Sequence, residues 1–219
     1  MRNFGKLFLG LILAGLMAGS LKTSAQTQIE AGADLMSRYV WRGTDFGGSP
    51  SIQPYIEMSA GDFVLGAWGA YTTNLPGAQE ADLYTGYTLG DVFSLTLTDY
   101  YFPEDDMSDD YFDFDNSHSL EVSGELAFEK FSIMAGKFFA GADDQSLYFE
   151  AGYDFGSFNA FAGAGDNAYT TDGDFGVVNV GIGTGKDIQI TDHFTLPMSA
   201  SLILNPESET LFLVAGVSF

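Results

Sequence analysis

The sequence predicts an all-β protein, an antiparallel transmembrane β-barrel of about twelve strands with both termini periplasmic. Three observations point there. Apolar residues alternate with polar or small ones at period two, short and long connections alternate between these runs, and phenylalanine recurs beside the short connections. Period-two alternation gives each strand two chemically distinct faces. Short turns on one side and longer loops on the other are the layout of a barrel that crosses a bilayer.

The first 25 residues stand apart from this pattern. Arg2 and Lys6 precede an apolar run from Leu7 to Gly19, and Thr23-Ser24-Ala25 offers a small-residue cleavage site. That is the organisation of a secretory signal peptide, so residues 1–25 are expected to be removed and residues 26–219 to form the barrel domain. The apolar run is too short to span a bilayer as a helix, which needs about 20 residues. Removing Arg2, Lys6 and Lys22 takes three positive charges from a net of −22 and leaves −25.

Strands are expected at residues 28–41, 51–60, 63–72, 80–89, 92–101, 118–128, 131–140, 146–154, 158–164, 175–186, 194–204 and 209–219. The clearest alternation runs through Leu196, Met198, Ala200, Leu202 and Leu204, and again through Leu211, Leu213, Ala215, Val217 and Phe219. Most of these runs approach the length of about 9–11 residues that a tilted strand needs to cross a bilayer. Short turns fall at Gly61-Asp62, Gly90-Asp91, Glu129-Lys130, Gly156-Ser157 and, less regularly, across 187–193. Longer connections fall at 43–50, 73–79, 102–117, 141–145 and 165–174.

Phe63, Phe93, Phe131, Phe158 and Phe194 open the strands that follow the short turns, and Phe219 joins the same rim. Aromatic rings gather at membrane interfaces, so these six are expected to form an aromatic girdle. Trp41, Tyr71, Tyr100, Tyr101, Phe102 and Phe139 are expected to form a second one at the loop end.

If the apolar face meets lipid, the lumen receives Glu30, Asp34, Arg38, Arg42, Glu57, Glu80, Asp82, Glu121, Glu125 and Glu150, together with Gln53, Thr96 and Thr98. A lumen with that many carboxylates attracts cations. Two readings of it stand open: an aqueous pore, or an ion-paired interior that plugs the barrel. Twelve strands lie between filled eight-stranded barrels and open porins. Small lumen residues such as Gly32, Gly86, Gly152, Ser199 and Ser201 favour room for water. Lys137 falls on the lipid face by simple alternation, so it either snorkels at a rim or its strand faces the other way.

Other classes fit poorly. Thirty acidic residues against eight basic ones repel a phosphate backbone, so no nucleic-acid partner is expected. The absence of cysteine excludes thiolate metal sites, disulfides and thiol nucleophiles. A secreted soluble β-sandwich acting as a binding module is the competing class. Against it, the polar face is rich in Gly, Ser, Thr and carboxylates rather than mixed Lys and Glu.

The carboxylates at 104, 105, 106, 109, 110, 113 and 115 lack the spacing of a calcium loop and read as a solvated acidic loop. No metal, cofactor or catalytic residue is expected. His118 and His193 fall at opposite barrel ends, and His118 and Ser119 fall on opposite faces of one strand, so a membrane-embedded hydrolase is disfavoured.

Ser37, Tyr39, Arg42, Gly43, Pro50 and Gln53 form a pattern similar to one in the TorF-like family of outer-membrane porins, with Gly66-Ala67-Trp68 resembling a second stretch. Pro54 stands where that family usually has glycine. The resemblance implies a bacterial outer-membrane barrel with porin function: passive diffusion of small hydrophilic solutes. The expected partners are outer-membrane lipid and lipopolysaccharide, the barrel assembly machinery during biogenesis, and small solutes or cations. A terminal aromatic such as Phe219 resembles the signal that assembly machinery reads.

Overall fold

The computed structural model describes residues 26–74, 79–103, 111–112, 117–141 and 145–219. The expected signal peptide and every carboxylate of the 103–117 segment lie outside them. Among the described residues fourteen strands follow in chain order: β1 (Thr27–Met36), β2 (Tyr39–Trp41), β3 (Thr44–Phe46), β4 (Ser51–Ala60), β5 (Phe63–Thr72), β6 (Gln79–Leu89) and β7 (Phe93–Tyr101). Then come β8 (His118–Phe128), β9 (Phe131–Gly141), β10 (Leu147–Asp154), β11 (Asn159–Gly165), β12 (Gly176–Thr191), β13 (Phe194–Asn205) and β14 (Thr210–Ser218).

Twelve of them close into an antiparallel barrel in sequence order, with β1 paired to both β4 and β14. The closure matters physically because it leaves no unpaired strand edge in contact with lipid. The even strand number brings both ends of the barrel to the short-turn side. Among the described residues no helix is long and apolar enough to cross a membrane.

Register fixes which residues share a face, since directly opposed residues in an antiparallel pair point the same way. Glu57 opposes Gly66, which opposes Tyr84, which opposes Thr98, which opposes Glu121. The buried Gln53, Glu80, Asp82 and Glu121 lie on this inner face. The other face carries Ile52, Leu95, Val180, Leu202 and Leu213, the last of them 70% exposed. So much exposed hydrocarbon is unfavourable in water and favourable against acyl chains. The molecule is a transmembrane β-barrel whose apolar face is its outside.

The short-turn rim is aromatic. Phe63, Phe93, Phe131, Phe158, Phe194 and Phe219 all sit at or beside the short-turn strand ends, and Phe155 stacks on Phe158 at 4.7 Å between centroids. Phe131, Phe158, Phe194 and Phe219 are exposed, Phe219 at 61%. Lys137 opposes Val122 and Leu147 on the outer face and donates from Nζ to the Gln145 carbonyl at 3.4 Å. It therefore snorkels toward the loop rim, and its strand faces the way alternation says.

Two expectations about element limits are corrected. The irregular turn at 187–193 is strand down to Thr191, so β12 and β13 form one long hairpin with a shift between Gln189 and Thr191. More consequentially, the first strand does not continue to residue 41. It leaves the barrel after Met36, where Ser37 bonds the backbone of Ala215 in both directions, N to O at 2.7 Å and Oγ from N at 2.8 Å. Residues 39–46 then form a separate two-stranded hairpin, Tyr39 opposing Phe46 and Trp41 opposing Thr44.

Candidate functional site: the acidic lumen and its inward hairpin

The turn of this hairpin is Arg42-Gly43, with φ of 48° and 82°. Positive φ at both central residues is what a tight two-residue hairpin turn requires, and it suits Gly far better than Arg. A non-glycine residue held there carries strain of order 1–3 kcal/mol unless its surroundings hold it in place.

Those surroundings are the opposite walls of the barrel. Asn205 Nδ2 on β13 donates to the Gly43 carbonyl at 3.0 Å, and a Cβ on Gly43 would lie 2.0 Å from the Val178 carbonyl oxygen of β12. Tyr39 Oη donates to Glu80 Oε2 on β6 at 2.7 Å, and its ring packs on Phe46 and Trp68. The hairpin thus touches β5, β6, β12 and β13 at once, so it lies inside the lumen at the loop end.

Arg42 is the crosspiece. Its Nη2 donates to Glu121 Oε1 at 2.7 Å and its Nη1 to Tyr169 Oη at 2.5 Å. The guanidinium carbon lies 4.3 Å from the Trp41 ring centroid and 4.5 Å from that of Tyr148, a stacked cation–π geometry. Burial disfavours its charge, but Glu121 together with Tyr169 and Tyr100 more than offsets this, and the pKa of Arg42 rises above its already high ordinary value. The guanidinium is permanently charged. Tyr39, also outside the spanning strands, is pushed well above the ordinary tyrosine range by burial and by Glu80, so it stays neutral.

The walls hold their half of this arrangement independently. Tyr100 Oη donates to Glu121 Oε2 at 2.9 Å, Tyr148 Oη to Glu150 Oε2 at 2.5 Å, and Asn179 Nδ2 to Glu150 Oε2 at 2.9 Å. Phe138, Tyr148, Tyr169 and Val178 form a buried cluster against Trp41, Tyr100 and Met134. Glu121 fits because Gly136 faces it: a Cβ there would stand 1.8 Å from Glu121 Oε1.

Toward the short-turn end the lumen is less filled. A cavity of about 550 Å³ is lined by Ser132, Glu150, Gly152, Asn159, Phe161 and Ser201, among others. A second, of about 420 Å³, lies beside Glu30, Glu57 and Ser59. Glu30 opposes Glu57, and Asp34 opposes Gln53, so Glu30, Asp34 and Glu57 share the inner face with Glu125 and Glu150, each of which opposes Met134. Glu80 and Asp82 lie higher on the same face, buried at 1% and 6% exposure. All eight expected carboxylates are therefore on the inner face.

The two arginines are not on the first strand. Arg42 sits at the hairpin tip, and Arg38 pairs with Asp45 inside the hairpin connection, 40% exposed and so of little energetic weight. Trp41 and Tyr100, expected at an outer girdle, are also inside and touch each other at 5.5 Å. The lumen groups that sequence reasoning missed are Tyr39, Tyr148, Tyr169, Asn179 and Asn205. The available signal was Arg-Gly between two short β-prone runs, Tyr39-Val40-Trp41 and Thr44-Asp45-Phe46.

His118 and Ser119 lie on opposite faces. Ser119 opposes Tyr100 on the inner face, whereas His118 opposes Tyr101 outside, where Nδ1 is 2.8 Å from Asp99 Oδ1 and Nε2 is 2.8 Å from the Tyr111 carbonyl. Tyr111 therefore lies over the outer wall at the loop end.

Residues 21–194 match Gcw_chp, described as a bacterial protein of unknown function. The chain belongs to the Gcw_chp family. The match spans the whole hairpin and its wall contacts as far as β12, and ends at the first residue of β13. No curated protein matches this family member. Among solved structures, a mutant porin of Rhodopseudomonas blastica aligns over 89% of this chain and 99% of its own, at 11% identity and a TM-score of 0.41. Acinetobacter baumannii OccAB3 aligns over 90% of this chain and 65% of its own, at 12% identity and a TM-score of 0.39. No residue role follows from similarity at this level.

Proposed function

We propose that this Gcw_chp protein is a bacterial outer-membrane porin: a passive diffusion channel for small hydrophilic solutes, with a cation-leaning lumen constricted by the 39–46 hairpin. The finer TorF-like resemblance and cleavage after Ala25 belong to the same reading, as do the lipid, lipopolysaccharide and assembly-machinery partners and the absence of enzymatic activity. One observation carries it: a closed apolar-sided barrel directs eight carboxylates inward, while one short hairpin crosses the lumen. An acidic wall of low dielectric draws cations and repels anions.

Planar-bilayer recording of the refolded mature protein tests this reading. A small, cation-preferring conductance that grows when residues 38–47 are replaced by a short Gly-Ser linker is the expected result. An anion-selective channel would overturn it.

A second reading, a non-conducting barrel, is favoured by the hairpin's contacts with opposite walls and the burial of Arg42 against Glu121. It predicts no conductance in the wild type at any salt concentration. Recovery of the protein in the soluble periplasm without detergent would remove both readings.

A further inference from the structure

We propose that the loop end of the lumen is a binding site for a guanidinium-bearing solute, occupied in the resting protein by the chain's own Arg42. The proposal relies on the channel reading only for the route by which such a solute arrives.

The receptor groups belong to the walls rather than to the hairpin. Glu121 is on β8, Tyr148 on β10, Tyr100 on β7, and Tyr169 in the connection after β11. Each is positioned by a bond that does not involve Arg42 or by packing within the wall. Glu121 accepts from Tyr100, Tyr148 is fixed by Glu150 and Asn179, and Tyr169 packs on Tyr148 at 5.2 Å between ring centroids. The site is therefore built in advance of its occupant, the condition under which binding energy is not spent on ordering the receptor.

Its shape selects a planar cation. The Tyr148 ring offers a π face at 4.5 Å, the Glu121 carboxylate accepts one N–H in the guanidinium plane, and the Tyr169 hydroxyl accepts another. A guanidinium satisfies all three together, whereas an ammonium has neither the flat face nor the fork. Gly136 keeps the wall clear beneath Glu121, so the carboxylate lies back against the wall where the guanidinium meets it.

The present occupant is held through a strained link, the left-handed φ of 48° at Arg42 in a two-residue turn. Release of the hairpin relieves that strain and withdraws Arg42 and Trp41 from this site, leaving Glu121, Tyr100, Tyr148 and Tyr169 exposed to the lumen. An external guanidinium then competes with a tethered one, whose effective concentration is high, so the unmodified protein responds weakly.

The test uses the full mature chain refolded in detergent, as wild type, Arg42→Ala, and Arg42→Ala with Glu121→Gln. Tryptophan emission, to which Trp41 and Trp68 alone contribute, is titrated with ethylguanidinium and separately with ethylammonium. The expected result is a saturable response of Arg42→Ala to ethylguanidinium, at least about tenfold weaker with ethylammonium and at least about tenfold weaker again when Glu121 is replaced. The wild type should respond little over the same range.

A linear response in Arg42→Ala, equal responses to the two cations, or indifference to Glu121→Gln would each overturn the proposal. Should Arg42→Ala refold poorly, the yield of heat-modifiable barrel is compared with ethylguanidinium or ethylammonium present. A yield raised only by ethylguanidinium supports the site, and equal yields overturn it. None of these readings depends on conductance, so a silent bilayer would refute the channel and leave this result standing.

Discussion

Replacing Gly43 by alanine should unseat the hairpin without opening the barrel. Gly43 has a φ of 82°, and an added Cβ would lie 2.0 Å from the Val178 carbonyl oxygen, where real contacts stay above 3.0 Å. The obstacle is backbone, so the tip itself must retreat by about 1 Å, beyond the left-handed cost of about 1–2 kcal/mol. That retreat stretches the 3.0 Å bond from Asn205 to the Gly43 carbonyl and pulls Arg42 back from Glu121. Each neutral hydrogen bond is worth about 0.5–1.5 kcal/mol and a charged one about 1.5–3. A conservative sum puts the loss of seating at about 2–4 kcal/mol, a factor of about 30 to 1,000 in the seated-to-unseated ratio. Gly48→Ala supplies the control, since Gly48 has a φ of 59° and no atom within 4 Å of its added Cβ. Single-channel recording should show a larger conductance for Gly43→Ala than for Gly48→Ala, with both still heat-modifiable. Identical conductance in the two variants and the wild type would refute the seating argument.

Three further outcomes are expected. Phe219→Ser removes a 61%-exposed ring from the short-turn rim and should lower the yield of heat-modifiable barrel in cells, while unchanged insertion would make that ending incidental. Because burial and Glu80 raise Tyr39 above its ordinary pKa, the unseated hairpin ionises first; seating is fully present below about pH 10 and weakens above it by up to about 1.4 kcal/mol per pH unit. Tyr39→Phe should therefore remove about one proton from the alkaline slope of conductance against pH. Glu125→Gln and Glu121→Gln should separate in a salt gradient: the exposed Glu125 shifts the reversal potential toward zero, whereas Glu121→Gln frees Arg42 and chiefly alters conductance.

The barrel wall was legible because its physics is local. Alternation at Leu196 to Leu204 and phenylalanine beside each short turn follow from the period of a strand and the chemistry of an interface, and both are visible in a few residues. The inner face of Glu57, Glu80, Asp82, Glu121 and Glu150 followed from the same parity. The hairpin was not legible in that way. Tyr39-Val40-Trp41 carries as much β-propensity as the strand before it, and parity alone extends β1 straight through it. What ends β1 is tertiary: Ser37 bonding Ala215 across the barrel seam, and a seat for Gly43 supplied by residues 178 and 205. Arg-Gly is also a weak turn signal beside Asn-Gly or Asp-Gly, because Arg reaches positive φ only when something distant holds it there.

The same limit explains the glycines. On an inner face, small residues read as space for water, and around Gly152 and Ser201 they do border the open cavity. Elsewhere the space is already taken. A Cβ at Gly66 would stand 2.2 Å from the Tyr84 ring, one at Gly163 2.0 Å from Tyr148 Oη, and one at Gly181 2.3 Å from the Phe161 ring. Each large inward side chain lies flat over a glycine of the neighbouring strand, opposite it in register or one step diagonal. Lying flat keeps Tyr148 out of the axis and turns its face toward Arg42, and the same economy at Gly136 lets Glu121 recede far enough to meet the guanidinium. Glycine in this wall is thus the partner of an aromatic or a carboxylate one strand away. A substitution such as Gly163→Ala acts by tipping Tyr148 into the lumen, where it collides with the hairpin, rather than by narrowing an empty pore.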